Sequence, residues 1–260
     1  MNHFIRALVE VSKKSPIWFF MAHQETVAKY RRTTLGPWWI TLGTGIGLCA
    51  MGFIWGAVFK MDIHELFPYL TSGFIFWSFI SSTLIESGEV FARASITLRS
   101  VKLQLLIFIF ASVLKNLYVL GHNIIIFLLV LVIFQLKISF ITFLFIPGFL
   151  LLVLTSFFVT VILSILGARF RDLSYMISSL MTFIFLLTPV MWNSGVLSGR
   201  SLYLAYLNPI THYLAIVRDP LLNKVPDSIS YLSAVGISIF LFLLASFLYK
   251  KFEKRIIFWV

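Results

Sequence analysis

Apolar stretches of about twenty residues recur along this 260-residue chain, and no Asp or Glu interrupts the middle of any of them. A helix rises 1.5 Å per residue, so each stretch matches the roughly 30 Å hydrocarbon core of a bilayer. With 60% hydrophobic and 12% charged residues, the chain has about half the charge of a soluble domain and more apolar surface than one can bury. The reading is an all-α integral membrane protein with six transmembrane helices, at about 38–59, 68–85, 114–134, 140–166, 173–192 and 229–249. Residues 1–37 then form a cytoplasmic tail, and 38–260 the transmembrane domain.

The boundary between the two is Tyr30-Arg31-Arg32-Thr33-Thr34-Leu35-Gly36-Pro37-Trp38-Trp39. Arginine keeps its charge and stays on the cytoplasmic side, while tryptophan settles at the headgroup level. Fifteen Lys and Arg fall on the side of the termini and five on the other, with Lys115 at a span end completing the 21. The bias predicts that both termini are cytoplasmic. It also accounts for the net charge of +11 without nucleic acid, because no basic-aromatic soluble module is present. The long polar tail ahead of the first span argues against a cleaved leader. One cysteine, Cys49, excludes an intrachain disulfide.

In the tail, Ser15 and Pro16 predict a helix start, with serine as N-cap and proline at the first helical position. The helix from 16 to 32 is too short to span and suits the interface plane. Residues 86–113 make a longer cytoplasmic excursion with helix-forming residues around 90–104, whereas 167–172 make a tight turn. Outside, the long segment 193–228 is rich in Leu, Tyr and Ile and broken at Asn208-Pro209 and Asp219-Pro220. It predicts short re-entrant helices near a pathway mouth, since irregular backbone at membrane depth must be surrounded by protein or a wet cavity. Pro147-Gly148 predicts a bend in the fourth span.

No catalytic set converges, and Gly43, Gly45 and Gly47 have no lysine after them to make a phosphate loop. These glycines are expected to mark close helix packing. The five histidines lack metal-ligand spacing, and His122 is expected to make a structural hydrogen bond. Thr71, Ser78, Ser82, Glu86, Glu89 and Arg93 share one helical stripe, which suits either helix packing or a hydrated cavity. Glu86 or Glu89 is expected to pair with Arg93, or with Arg31 and Arg32, and Lys115 to snorkel to the cytoplasmic interface. Among the aromatics, Trp77, Tyr118, Trp192, Tyr203, Tyr206 and Tyr213 are candidates to line a pathway on which sugar rings can stack.

Taken in order, several segments resemble the membrane subunit of ABC-2 type polysaccharide exporters, the family that moves lipid-linked O-antigens, capsules and teichoic acids. They are Tyr30 to Trp38, Ser72 to Phe79 (with Phe76 where the family has proline), Ala168-Arg169-Phe170-Arg171-Asp172-Leu173, Thr188-Pro189-Val190-Met191-Trp192, and Leu207 to Thr211 followed by Arg218-Asp219. The resemblance implies the ABC-2 (type V exporter) fold and a homodimer in the cytoplasmic membrane. It implies two copies of a cytoplasmic ATPase subunit that carries ATP and Mg, no cofactor in this chain, and a lipid-linked glycan as substrate. By the same analogy Arg93, Arg99 and Lys102 lie on a coupling helix over 93–104. Tyr30, Arg31, Arg32, Trp38, Glu86 and Glu89 would sit where substrate enters, and Asn208, Pro209, Arg218 and Asp219 in an external gate at 193–227.

Overall fold

A computed structural model describes residues 2–60, 62–192 and 205–260 of the chain, and the regular elements among them are helical. Helices α1 (Asn2–Ser12) and α2 (Ser15–Tyr30) form an elbow, and α3 (Trp38–Phe59) and α4 (Ile63–Ser87) follow as an antiparallel pair. Two short helices, α5 (Val90–Arg93) and α6 (Ser95–Ser100), lead to α7 (Leu105–Ile133). A 3-10 turn (Phe140–Leu144) opens α8 (Phe145–Arg169), followed by α9 (Leu173–Leu187), α10 (Pro209–Leu221) and α11 (Ser228–Trp259). Among the described residues four helices are long and apolar enough to cross a membrane, lying within 38–58, 105–133, 140–169 and 228–259.

Local chemistry sets several of the boundaries. Lys60 ends α3 in the left-handed region, with φ 51. Asp62 caps α4 by accepting from the His64 amide at 2.9 Å. Ser139 and Thr142 close a capping box on the 3-10 turn, and Asn208 caps α10 by accepting from the Ile210 amide at 3.0 Å. Pro16 stands in the first turn of α2 as expected, but Lys14 occupies the N-cap position and no side chain caps it.

Two apolar cores are stacked along the bundle. One joins Phe4 and Val11 of α1 to Phe91, Leu98, Ile107, Ile165 and Tyr249. The other joins Leu66 and Leu70 of α4 to Leu120, Leu152, Leu214 and Ala234. The N-terminal part of α7 belongs to the first core and its later part to the second, and α8 and α11 run the opposite way. The two termini therefore meet at one end, where His3 Nε2 lies 2.7 Å from Glu253 Oε2 and Phe4 packs on Tyr249 at 5.4 Å.

Several expectations need correction. The segment 93–104 is not one helix: α5 ends at Arg93, α6 covers Ser95–Ser100, and Val101 is extended. Helix α4 begins five residues before the expected second span, and α11 continues ten residues past the expected sixth. Helix α9 ends at Leu187, because Thr188 turns extended ahead of Pro189, which disfavours the helical region before it. Pro147 makes no mid-span bend, since it lies in the first turn of α8, where its missing N–H costs nothing. Within one chain the close-packing glycines are different ones. Gly43 and Gly47 face open space, whereas a Cβ on Gly167 would strike the Gly88 carbonyl and one on Gly148 the Ile216 carbonyl. The first 12 residues of the expected gate, 193–204, lie outside the described residues.

Candidate functional site

Helices α5 and α6 close the end of the bundle that carries the termini. Val90, Phe91 and Leu98 anchor them in the core, which leaves Arg93, Ile96, Arg99, Val101 and Lys102 on the outer surface, Ile96 at 80% exposure. Arg93 donates to the Glu86 carbonyl at 3.2 Å, fastening α5 to the last turn of α4. Arg99 donates to the Val260 carbonyl and so ties α6 to the C-terminus. The three basic residues are thus exposed along this short stretch, with the apolar side chains of Ile96 and Val101 exposed among them.

Beside this face lies an ion cluster that joins three helices distant in sequence. Lys115 of α7 places Nζ 2.6 Å from Glu86 Oε2 of α4 and 3.6 Å from Glu25 Oε2 of α2. Its side chain is only 12% exposed and is held between the two carboxylates. Glu86 accordingly pairs with Lys115, and its contact with Arg93 runs through the backbone. Glu89 is half-buried just before α5 and has no ion pair among the described residues. Arg31 and Arg32 are exposed after α2, with Arg32 at φ 71. The Tyr30 carbonyl accepts from the Thr33 amide and hydroxyl, turning the chain toward α3. Trp38 is half exposed, its ring edge-on to His122 with the ring centres 6.0 Å apart. His122 bonds within its own helix, donating through Nδ1 to the Tyr118 carbonyl at 2.8 Å, because a carbonyl can only accept.

The opposite end holds a second polar cluster around Arg218. This side chain is 6% exposed, with its guanidinium 4.1 Å above the Tyr69 ring. It donates to the Pro189 carbonyl at 2.6 Å and to Asp219 Oδ1 at 3.2 Å. The Tyr69 hydroxyl donates to the carbonyls of Pro189 (3.1 Å) and Trp192 (2.8 Å). The turn after α9 is therefore clamped between α4 and α10. Asn208 donates to the Thr188 hydroxyl at 2.7 Å, and Pro209 follows it at the start of α10. His212 donates through Nε2 to the Tyr206 carbonyl at 2.8 Å, leaving Nδ1 to accept from Ser230 at 3.2 Å. Sequence reasoning placed Arg218 in the gate but missed its partner Tyr69, 149 positions earlier and without any motif of its own.

The candidate aromatics divide. Trp77 is a core residue packed on Phe185, and Tyr213 is buried with its hydroxyl among Thr155, Ser238 and the Ala234 carbonyl. Tyr118 and Trp192 are half-buried, and the Trp192 indole donates to the Leu186 carbonyl at 3.2 Å. Tyr206 is 38% exposed, and Tyr203 lies outside the described residues. Tyr213 meets Thr155 and Ser238 ten residues into α8 and α11, about 15 Å from their starts. The N-terminal half of α10 therefore descends well into the bundle, below the clamp.

Two comparisons bear on this arrangement. The O-antigen export system permease protein RfbA of Myxococcus xanthus is 24% identical over 255 residues, covering 95% of this chain and 96% of that protein. The ABC-2 type transporter membrane family model matches residues 17–222, from the start of α2 to the end of α10, and so takes in the basic end face, the ion cluster and the Arg218 clamp. The chain belongs to the ABC-2 type transporter family.

Proposed function

We propose that the chain is the permease subunit of an ATP-driven exporter carrying a lipid-linked polysaccharide, an O-antigen above others, across the cytoplasmic membrane. The observation that carries the reading is the nearly end-to-end alignment with a permease named for O-antigen export. A hydroxyl-rich polymer cannot enter hydrocarbon without losing its hydrogen bonds to water, so a lined, wet path is required. Trp77 and Tyr213 are occupied in the core of one chain, and a path between two copies meets the need. Helices α3 and α9 suit that contact: α3 has open space over Gly43 and Gly47, spaced for close helix approach, and α9 exposes Tyr175, Met176, Leu180, Phe183 and Leu186.

In this reading α4 supplies the second span, while α9 and α10 share the fifth crossing and the re-entrant gate. Both termini are cytoplasmic, since the end that holds them also holds most of the Lys and Arg. Arg93, Arg99 and Lys102 with Ile96 receive a separate ATPase subunit, on which ATP and Mg reside. Tyr30, Arg31, Arg32, Trp38, Glu86 and Glu89 border the access side, and Asn208, Pro209, Arg218 and Asp219 hold the gate.

Deleting the gene tests the function directly. Finished lipid-linked glycan should accumulate on the cytoplasmic side while the cell surface loses its polymer. An unchanged surface with no accumulation would overturn the glycan assignment and leave an exporter of drugs or other lipids.

A further inference from the structure

An apolar groove of about 490 Å³ runs between the α1–α2 elbow and the flanks of α7 and α8. Leu8, Trp18, Phe110, Leu114, Leu154 and Phe157 define it, and its one polar side chain, Ser12, is spent on the Val9 carbonyl of its own helix. The α7 and α8 residues belong to helices able to cross a membrane, so hydrocarbon is what faces this groove. The elbow at its rim has a different character. Lys13 and Lys14 follow Ser12 directly, both are exposed, and neither is ion-paired among the described residues. Among the described residues Lys14 Nζ reaches the Gln104 side-chain Oε1, at 3.5 Å, while the same amide donates through Nε2 to Glu10 at 2.9 Å. The Trp18 indole donates to the Val11 carbonyl at 3.2 Å and fixes the lip between the cations and the apolar floor.

We infer that this groove binds one acyl chain of an anionic phospholipid, with Lys13 and Lys14 holding the headgroup phosphate. The two halves of the site match the two halves of that molecule: an apolar slot within spanning helices and two unpaired cations at its rim. A zwitterionic lipid would gain the slot without the charge pairing. The bound tail fills the angle between α1, α2 and the bundle, and so supports an elbow that has few polar contacts of its own. The inference rests on the chain's being a membrane protein and is independent of what it exports.

The test is native mass spectrometry of the purified full chain after exchange into nanodiscs containing equal phosphatidylglycerol and phosphatidylethanolamine, followed by detergent release. Wild type should retain phosphatidylglycerol with a preference of about 30-fold, the worth of two lysines beside an anionic headgroup. K13Q/K14Q should abolish the preference, and both side chains are exposed, so folding is not at stake. Leu154→Trp, at a position 53% exposed, should fill the slot and lose both lipids. Equal retention of the two lipids by wild type, or undiminished phosphatidylglycerol in both variants, would overturn the assignment. Displacement of phosphatidylglycerol by an equimolar polyprenyl phosphate would also overturn it, assigning the groove to a carrier lipid instead.

Discussion

Replacing Lys115 by methionine keeps the length of the side chain and removes its charge, leaving Glu86 and Glu25 facing each other without their shared cation. At an effective dielectric near 20, contacts of 2.6 and 3.6 Å are worth about 6 and about 5 kcal/mol of gross attraction, most of it cancelled by desolvation. Breaking a fully buried pair costs about 3–5 kcal/mol and an exposed one about 0–1 kcal/mol. With Lys115 12% exposed, Glu86 29% and Glu25 45%, the cluster lies between these limits, and a loss of about 2 kcal/mol is expected. For a chain of this size that corresponds to a melting point lower by about 4–8 °C. Unfolding from detergent is commonly irreversible, so variants must be compared in one detergent at one scan rate. The informative variant is K115M/E86Q, which removes the orphaned carboxylate together with its partner. It should melt above K115M, because the larger part of the cost is the uncompensated charge. A double variant that melts at or below K115M, or a K115M that melts with wild type, would refute an energetic role for the cluster.

Three further outcomes follow from the geometry. Gly167→Ala places a methyl on the Gly88 carbonyl and should destabilise the chain by several kcal/mol, as overpacking does, whereas Gly43→Ala and Gly47→Ala should leave monomer melting unchanged or raised by up to about 1 kcal/mol each. If α3 forms the contact between copies, the two tolerated variants should shift the monomer–dimer balance toward monomer by analytical ultracentrifugation. Arg218→Met strips the Pro189 carbonyl and Asp219 of their buried partner and should cost about 3–5 kcal/mol, with Tyr69→Phe milder, both read by thermal melting. Charge reversal at Arg93 and Arg99 should abolish export of surface polymer while the chain still reaches the membrane in fractionation, and normal export would remove these residues from the coupling surface.

Much of the fold was legible because lipid imposes a simple rule on sequence. Helices α3, α7, α8 and α11 were visible as apolar runs, and the common end of the termini followed from an even number of expected spans. The polar clusters were not visible, for a reason of distance in the chain. Glu25, Glu86 and Lys115 come from three separate helices, and Tyr69 meets Arg218 only once α4 and α10 are side by side. Sequence offered Glu86 either Arg93 on the next turn or Arg31 and Arg32 of the tail; the Arg93 guanidinium does arrive, but at the backbone, and the carboxylate takes Lys115 instead. Glycine suffered from the same limit. Gly43, Gly45 and Gly47 attract notice by their spacing, yet what makes a glycine necessary is the atom opposite, and for Gly167 that atom belongs to Gly88, in the turn after α4.

Helix α4 is long enough to span a bilayer yet is not among the four described helices that are apolar enough to do so. It is 25 residues long, enough for a bilayer, but it carries Glu65, Thr71, Ser72, Ser78, Ser82, Thr83, Glu86 and Ser87. In contact with lipid each hydroxyl or carboxylate would be a liability. Here Thr71, Ser72, Thr83 and Ser87 are buried in protein, Ser72 and Ser87 donating to carbonyls of their own helix and Ser87 also to the Thr160 hydroxyl at 3.1 Å. By contrast, only 17% of the most apolar stretch of α3 and 22% of that of α11 is buried. The polar side chains of α4 follow from its central position, where neighbouring helices surround them. Its Glu86 and Tyr69 stand 17 residues apart, about 25 Å along the axis, and each enters one of the two polar clusters. The least lipid-like long helix is the one to which both ends of the molecule are tied.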